Sequence, residues 1–180
     1  NWRPSVVATT GQTATVNMTT ANGSAYTVDW GDGTSSTVAS AANATRVYAG
    51  NYSGAIRISS TGIFTRVNSW TGTVTLTGTT AQLPTGLTYL SLSSSSITLT
   101  GTTAQLPTGL TYLSINSSSI ALTGTTAQLP TGLTILSLSG NSITLTGTTA
   151  QLPTGLTYLY INSSSITLTG TTAQLPTGLT

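Results

Sequence analysis

The sequence contains no lysine, glutamate, histidine or cysteine, and its six charged side chains are four arginines and two aspartates among 180 residues. Without cysteine the chain forms neither disulfides nor thiolate metal sites. Without histidine, lysine or cysteine, a serine or threonine nucleophile lacks its usual activating bases. Four scattered arginines are also too few for an electrostatic footprint on nucleic acid. We therefore expect a protein that is not an enzyme, holds no cofactor and does not bind nucleic acid.

Long apolar runs are also missing. No stretch approaches the roughly 20 consecutive apolar residues that a membrane-spanning helix needs, so we expect no membrane span. Hydroxyl groups are abundant instead, with 43 threonines and 24 serines. The surface of the protein is therefore expected to be rich in hydroxyl groups and nearly free of charge.

A 23-residue repeat occupies residues 76–180. The string LPTGL begins at positions 83, 106, 129, 152 and 175, and this constant spacing defines the length of one unit. Alternating apolar residues in each LTYLSL-like segment predict a short strand, and strands of successive units are expected to pair in parallel. We expect these strands at 89–93, 112–116, 135–139 and 158–161. The connecting arm TLTGTTAQLP is rich in threonine, glycine and proline, which predicts an extended, non-helical segment.

The repeat resembles the leucine-rich repeat family. Its apolar spacing is similar to the LxxLxLxxNxL pattern, and LPTGLTYLSL resembles the LPxGLxxLxL subclass of bacterial members. The resemblance implies a solenoid with a parallel sheet and an extended convex side, made of four full units and a partial fifth. The asparagine of the pattern is present at Asn141 and is replaced by Ser95, Ser118 and Ser164.

Residues 1–62 lack the repeat and predict a small antiparallel β domain, because apolar and polar residues alternate between turn sequences rich in glycine. The segments YTVDWGDGTSS at 26–36 and VYAGNYSGAIRI at 47–58 resemble the PKD-like β-sandwich family. Arg46 stands where that family usually has histidine. Phe64, Val67 and Val74 lie one repeat length before apolar positions of the first full unit. We therefore interpret residues 63–75 as a degenerate unit that caps the solenoid.

Asp29 and Asp32 are the only carboxylate side chains, so any metal site would have to use them. The interpretation we favour is a turn in which both side chains accept hydrogen bonds from nearby backbone amides.

Asparagine-linked glycans are an expected covalent partner, because six of the nine asparagines lie in N-x-S/T sequons. The two in the repeat occupy equivalent outward positions, two units apart, where glycans would cover the strand face. The six are Asn17, Asn22, Asn43, Asn51, Asn116 and Asn162.

Two arrays of side chains are candidate binding faces. An apolar row on the strand face is suited to protein or sugar contacts, although packing between strands is a sufficient explanation. It consists of Tyr89, Tyr112, Ile135 and Tyr158, with Tyr160 beside it. At another point of successive units, TxT pairs such as Thr75 with Thr77 and Thr98 with Thr100 resemble the ice-binding faces of solenoid antifreeze proteins. Threonine is equally suited to exposed extended backbone.

The last unit stops after LPTGLT, which leaves Leu168, Leu175 and Leu179 and a sheet edge without a following unit. Either the chain continues or another molecule covers this end. A head-to-tail contact with the next copy does not close and would form a fibre. The leading hypothesis is therefore an extracellular or cell-surface structural protein that self-assembles into a glycosylated filament. The alternatives are an adhesin or receptor fragment that binds through the tyrosine face, and an ice-binding protein.

Overall fold

The computed structural model describes residues 1–93, 97–117, 119–140 and 142–180. It confirms a mostly β protein with both parallel and antiparallel strand pairing. Within those ranges no helix is long and apolar enough to cross a membrane. Ser95, Ser118 and Asn141, at the asparagine position of the repeat, lie outside the described residues.

Seventeen strands are described, and the four that the sequence predicts in the LTYLSL-like segments (β10, β12, β14 and β16) begin at the predicted residues. Their ends agree with the prediction to within one residue. The strands are β1 (Ser5–Ala8), β2 (Thr13–Thr20), β3 (Tyr26–Asp29), β4 (Ser35–Val38), β5 (Asn43–Val47), β6 (Tyr52–Ala55), β7 (Arg57–Ser60), β8 (Phe64–Gly72), β9 (Thr75–Thr79), β10 (Tyr89–Leu92), β11 (Ile97–Thr102), β12 (Tyr112–Asn116), β13 (Ala121–Thr125), β14 (Ile135–Ser139), β15 (Ile143–Thr148), β16 (Tyr158–Asn162) and β17 (Ile166–Thr169).

In each repeat unit a 3-10 turn follows the arm strand (β9, β11, β13, β15 or β17), within the arm that the sequence predicts as extended. The glutamine of each TTAQ segment stabilises the turn, because its side-chain carbonyl accepts the backbone N–H three residues earlier. The turns span Thr80–Gln82, Thr103–Gln105, Thr126–Gln128, Thr149–Gln151 and Thr172–Gln174.

Seven strands form what we call the tyrosine sheet, in the order β16-β14-β12-β10-β8-β2-β5. From β8 to β16 the strands are parallel, and each residue faces its equivalent in the next unit, as Tyr89 faces Tyr112. β2 pairs with β8 and β5 in antiparallel fashion. The N-terminal region therefore continues the same sheet.

Seven further strands form the threonine sheet, in the order β17-β15-β13-β11-β9-β1-β6. Here the arm of each unit pairs in parallel with the arm of the next, so the side opposite the tyrosine sheet is also hydrogen-bonded. β1 pairs antiparallel with β9 and β6. A third sheet, β4-β3-β7, belongs to the N-terminal region.

One continuous hydrophobic core fills the protein from Trp2 to Leu156. In the repeat it consists of the predicted leucines and isoleucines, because alternate residues of both sheets point inward. In the N-terminal region Trp2 packs edge-to-face on Trp70 at 4.6 Å between ring centroids. The domain boundaries at residues 62 and 75 remain a prediction, and both large sheets run across these positions.

Candidate interaction surfaces

Neighbouring repeat units are joined by a hydrogen bond between their 3-10 turns. The hydroxyl of Thr80 donates to Oε1 of Gln105 in the next unit, at 2.9 Å. The same bond recurs at 3.2, 3.3 and 3.4 Å along the repeat. The four accepting glutamines therefore each take one backbone bond within their own turn and one hydroxyl from the preceding unit. The later pairs are Thr103 with Gln128, Thr126 with Gln151, and Thr149 with Gln174.

The C-terminal end of the repeat exposes part of its apolar interior. In the last full unit, at most 3% of the surface of Leu145, Leu152 and Leu156 is exposed. Their equivalents one unit later are only half-buried against the core, and β16 and β17 are the last strands of the two large sheets. These equivalents are Leu168, Leu175 and Leu179, the residues that the sequence predicts at this end.

A groove of about 590 Å³ lies beside the first 3-10 turn, on the side that faces the N-terminal region. The residues that line it include Arg3, Ile63, Gln82, Pro84 and Gly86. Ile63 is 65% exposed, which is unusual for a residue of its size in this protein. The signal for this groove in the sequence is a break in the repeat: residues 57–61 read RISST, where the 23-residue period would place TAQLP.

The predicted tyrosine row is present on the outer face of the tyrosine sheet. Tyr89 and Tyr112 stack at 4.1 Å with an interplanar angle of 17°, and the Arg66 guanidinium lies 3.9 Å from the centre of the Tyr89 ring. Burial and the neighbouring Tyr89 raise the pKa of Tyr112. Because the ring faces pack on each other, the row presents ring edges and hydroxyl groups to solvent.

The other members of the row are more accessible. Ile135 and Tyr158 continue the row in register on β14 and β16. Tyr158 is 46% and Tyr160 is 44% exposed, and Tyr160 faces Ser137 across the sheet. The structure therefore brings together four predicted residues in one row and places Tyr160 beside it.

The threonine pairs do not form the rows that the sequence predicts. Equivalent residues of successive units are expected side by side, which would place Thr98 next to Thr75. In the threonine sheet Thr98 instead faces Thr77, and Thr100 faces Ala121. Residues that face each other in this sheet are 21 positions apart in the sequence, two fewer than the repeat length. Each strand is therefore shifted along its length relative to the strand before it. The outward threonines form oblique rows.

The side chains of both aspartates in the DWGDGT segment (29–34) already have hydrogen-bond partners. Asp29 Oδ1 accepts the Gly31 amide at 3.0 Å. Asp32 Oδ1 accepts the amide and the hydroxyl of Thr34, while Oδ2 accepts Arg46 Nε at 2.9 Å and pairs with Nη2 at 2.8 Å. Burial opposes ionisation of Asp32, but the bonds from Thr34 and Arg46 outweigh it and lower its pKa. This geometry suits a structural turn better than a metal site.

The six sequons differ in their surroundings. Asn17 is half-buried, and its Nδ2 donates to Asn43 Oδ1 at 2.7 Å and to the Ala41 carbonyl at 2.9 Å. Its Oδ1 accepts from Asn68 Nδ2 at 2.7 Å. The remaining five sequon asparagines are exposed and lie at turns or strand ends. They are Asn22, Asn43, Asn51, Asn116 and Asn162.

Comparison of the chain with protein-family models, with curated proteins and with solved structures finds no match in any of the three. The resemblances to leucine-rich repeats and to PKD-like domains therefore stay predictions from the motifs.

Proposed function

We propose that this chain is a non-enzymatic extracellular structural protein that associates head to tail into a glycosylated filament or surface fibre. In this proposal a PKD-like β-sandwich precedes a leucine-rich-repeat solenoid. The observation that carries it is the apolar end surface formed by Leu168, Leu175 and Leu179 beside the outer edges of β16 and β17. Burying half-exposed leucines and pairing free strand edges both favour association.

The placement of the strand edges supports a head-to-tail arrangement. Each large sheet has one outer edge at the last repeat unit, on β16 or β17, and its other outer edge in the N-terminal region, on β5 or β6. A contact between unlike ends leaves one end of each kind free after every addition. Such a heterologous contact propagates along one direction instead of closing into a dimer.

The scarcity of charge also supports association. Of the six charged side chains, Asp32 and Arg46 neutralise each other in an ion pair. Few charges then remain to keep copies apart by repulsion. A glycan at Asn116, at the end of the inner strand β12, would cover the side of a filament away from its ends.

Sedimentation velocity and negative-stain electron microscopy of the 180-residue chain test this proposal. We expect assemblies that grow with protein concentration. Leu175→Lys and Leu179→Lys should dissociate them, because each places a charge in the end contact. Thr131→Lys adds the same charge at an exposed position of an inner unit and should leave assembly unchanged. A wild-type chain that remains monomeric at all concentrations would contradict the proposal.

A second candidate function is adhesion through the tyrosine row, favoured by the exposure of Tyr158 and Tyr160. Hydroxyl edges and nearby serines would contact the hydroxyl groups of a glycan or the polar groups of a protein. A glycan array probed with the monomeric Leu179→Lys variant tests it. Binding that is lost when Tyr158→Ser is added, but retained when the distant Tyr52→Phe is added, would support this function.

A further inference from the structure

The outer face of the threonine sheet repeats one side chain in two directions. Neighbouring strands of the repeat are shifted by two residues, and a shift by an even number leaves each outward side chain facing another outward side chain. Threonine therefore still faces threonine across the sheet, and the next outward residue of each strand starts a parallel row. Two such rows, side by side, are Thr102, Thr123 and Thr144, and Thr125, Thr146 and Thr167.

The spacing of these hydroxyl groups is close to the spacing of water molecules in ice. Parallel strands lie about 4.8 Å apart, and successive outward residues of one strand lie about 6.6 Å apart. In ice each water molecule makes tetrahedral hydrogen bonds of about 2.75 Å, which places second neighbours about 4.5 Å apart and equivalent molecules along the hexagonal axis about 7.3 Å apart. The two pairs of spacings therefore agree to within about a tenth.

The threonine side chains of this face are restricted in their movement. Threonine is branched at Cβ, so few side-chain rotamers are open to it. The Thr123 hydroxyl also donates to the Gly101 carbonyl at 3.4 Å, and the Thr169 hydroxyl donates to the Gly147 carbonyl at 3.3 Å. Each of these oxygens can still accept hydrogen bonds from water. The threonine–glutamine bonds between units add a side-chain ladder, a feature that favours a flat sheet.

The threonine face also carries no charge, since no charged residue follows Arg66 in the sequence. A charged side chain resists losing its own hydration, whereas a hydroxyl group exchanges one hydrogen bond with water for another when the water becomes ordered. The sequon residues Asn116 and Asn162 end strands of the tyrosine sheet. Glycans at these two positions would therefore leave the threonine face uncovered.

We propose that the outer face of the threonine sheet binds ice, with the threonine oxygens occupying positions of the water lattice. This function goes beyond head-to-tail association and does not require it. Ala121 is a gap in the array, because it faces Thr100 without a hydroxyl group of its own. The equivalent position of the next unit is Thr144.

Thermal hysteresis, the difference between the melting and the freezing temperature of an ice crystal, tests this proposal together with microscopy of the crystal shape. We expect the wild-type chain to produce hysteresis and faceted crystals. Thr146→Lys should abolish both, because its ammonium group keeps its hydration and holds ice away from the neighbouring hydroxyls. Thr131→Lys adds the same charge at an exposed position outside the sheets and should leave both unchanged. Circular dichroism verifies that both variants fold.

A second pair of variants tests for a gain of activity, which misfolding cannot imitate. Ala121→Thr supplies the hydroxyl that is missing opposite Thr100 and should increase the hysteresis. Ala127→Thr makes the same substitution at an exposed position in the 3-10 turn of that unit and should leave the hysteresis unchanged.

The outcomes separate ice binding from the proposed association. Wild-type protein that neither shapes ice nor produces hysteresis would overturn the inference. Equal hysteresis in Thr146→Lys and Thr131→Lys, or in Ala121→Thr and Ala127→Thr, would show that the threonine array is not the binding surface. Sedimentation of the same samples measures association independently, so that either proposal can fail while the other stands.

Discussion

The side-chain hydroxyl of Thr80 fills the space that a Cβ atom on Gly101 would occupy. The same relationship recurs between Thr103 and Gly124 and in the two units that follow. Gly101 also has φ of +149°, a conformation that residues with a side chain rarely adopt. The glycine and the last threonine of LTGTTAQ are thus two halves of one contact between successive units, and the glutamine accepts the hydrogen bond that fixes it.

Gly101→Ala should therefore destabilise the protein by roughly 2–3 kcal/mol, because the new Cβ adopts a strained φ and collides with the Thr80 hydroxyl. Urea unfolding followed by circular dichroism measures the change. Gly109→Ala in the same unit is the control, since its added Cβ would meet only the Leu87 carbonyl oxygen at 3.6 Å, an ordinary contact. Equal losses in the two variants would show that the interlocking of units is not the cause.

Gln105→Leu should cost about 1–2 kcal/mol of unfolding free energy, because Oε1 of Gln105 accepts both the Thr102 amide and the Thr80 hydroxyl. Gln82→Leu, measured in the monomer, removes only the bond from Thr79 and should cost about half as much. The difference between the two variants isolates the bond between units. A Gln82→Leu loss as large as that of Gln105→Leu would contradict the role of the hydroxyl bond.

The sequence predicts the repeat strands closely, because the constant period determines which residues are equivalent. The period does not predict which residues face each other, because neighbouring strands can be shifted along their length. In the tyrosine sheet there is no shift, and Tyr89 faces its equivalent Tyr112. In the threonine sheet the strands are shifted by two residues, and Thr98 faces Thr77. Pairing of β1 with β9 is also beyond the local pattern, because the two strands are far apart in the chain and no turn sequence links them.

Asp32 should make the protein less stable in acid. Its folded pKa lies below the ordinary value, so its ionised form contributes stability above about pH 4, and this contribution is lost as the pH falls through the lower folded value. Unfolding free energies measured from about pH 5 to pH 2 should decline less steeply in Asp32→Asn. Asp29→Asn leaves the Arg46 ion pair intact and should retain the Asp32 contribution. An unchanged slope in Asp32→Asn would contradict this prediction.

Tyr48 should make the protein less stable in alkali. Burial, with the nearby Asp32 charge, raises the pKa of Tyr48 to about 12. The folded state therefore disfavours tyrosinate, and its stability falls as the pH rises from about 10 towards 12. The sequence has no lysine or cysteine to titrate in this range. Tyr48→Phe should therefore flatten the alkaline decline, and an unchanged decline in this variant would contradict the prediction.

Asn17 should remain without a glycan in folded protein, although its sequon is intact. A glycan replaces one hydrogen of Nδ2, and both of these hydrogens are used, towards Asn43 and the Ala41 carbonyl. Losing either bond removes one hydrogen bond of this amide network, at a cost of about 0.5–1.5 kcal/mol. Asn51 and Asn116 are exposed and carry no such constraint.

Glycopeptide mass spectrometry of the chain secreted from eukaryotic cells measures occupancy at each site. We expect sugar at Asn51 and Asn116 and none at Asn17. Asn17→Gln should lower the unfolding free energy by about 1–3 kcal/mol through the lost bonds to Asn43, Ala41 and Asn68, whereas Asn51→Gln should leave it unchanged. Folded protein with a fully occupied Asn17 would show that the amide network across β5, β2 and β8 is not needed for the fold, because the same nitrogen cannot both carry a sugar and make these two bonds.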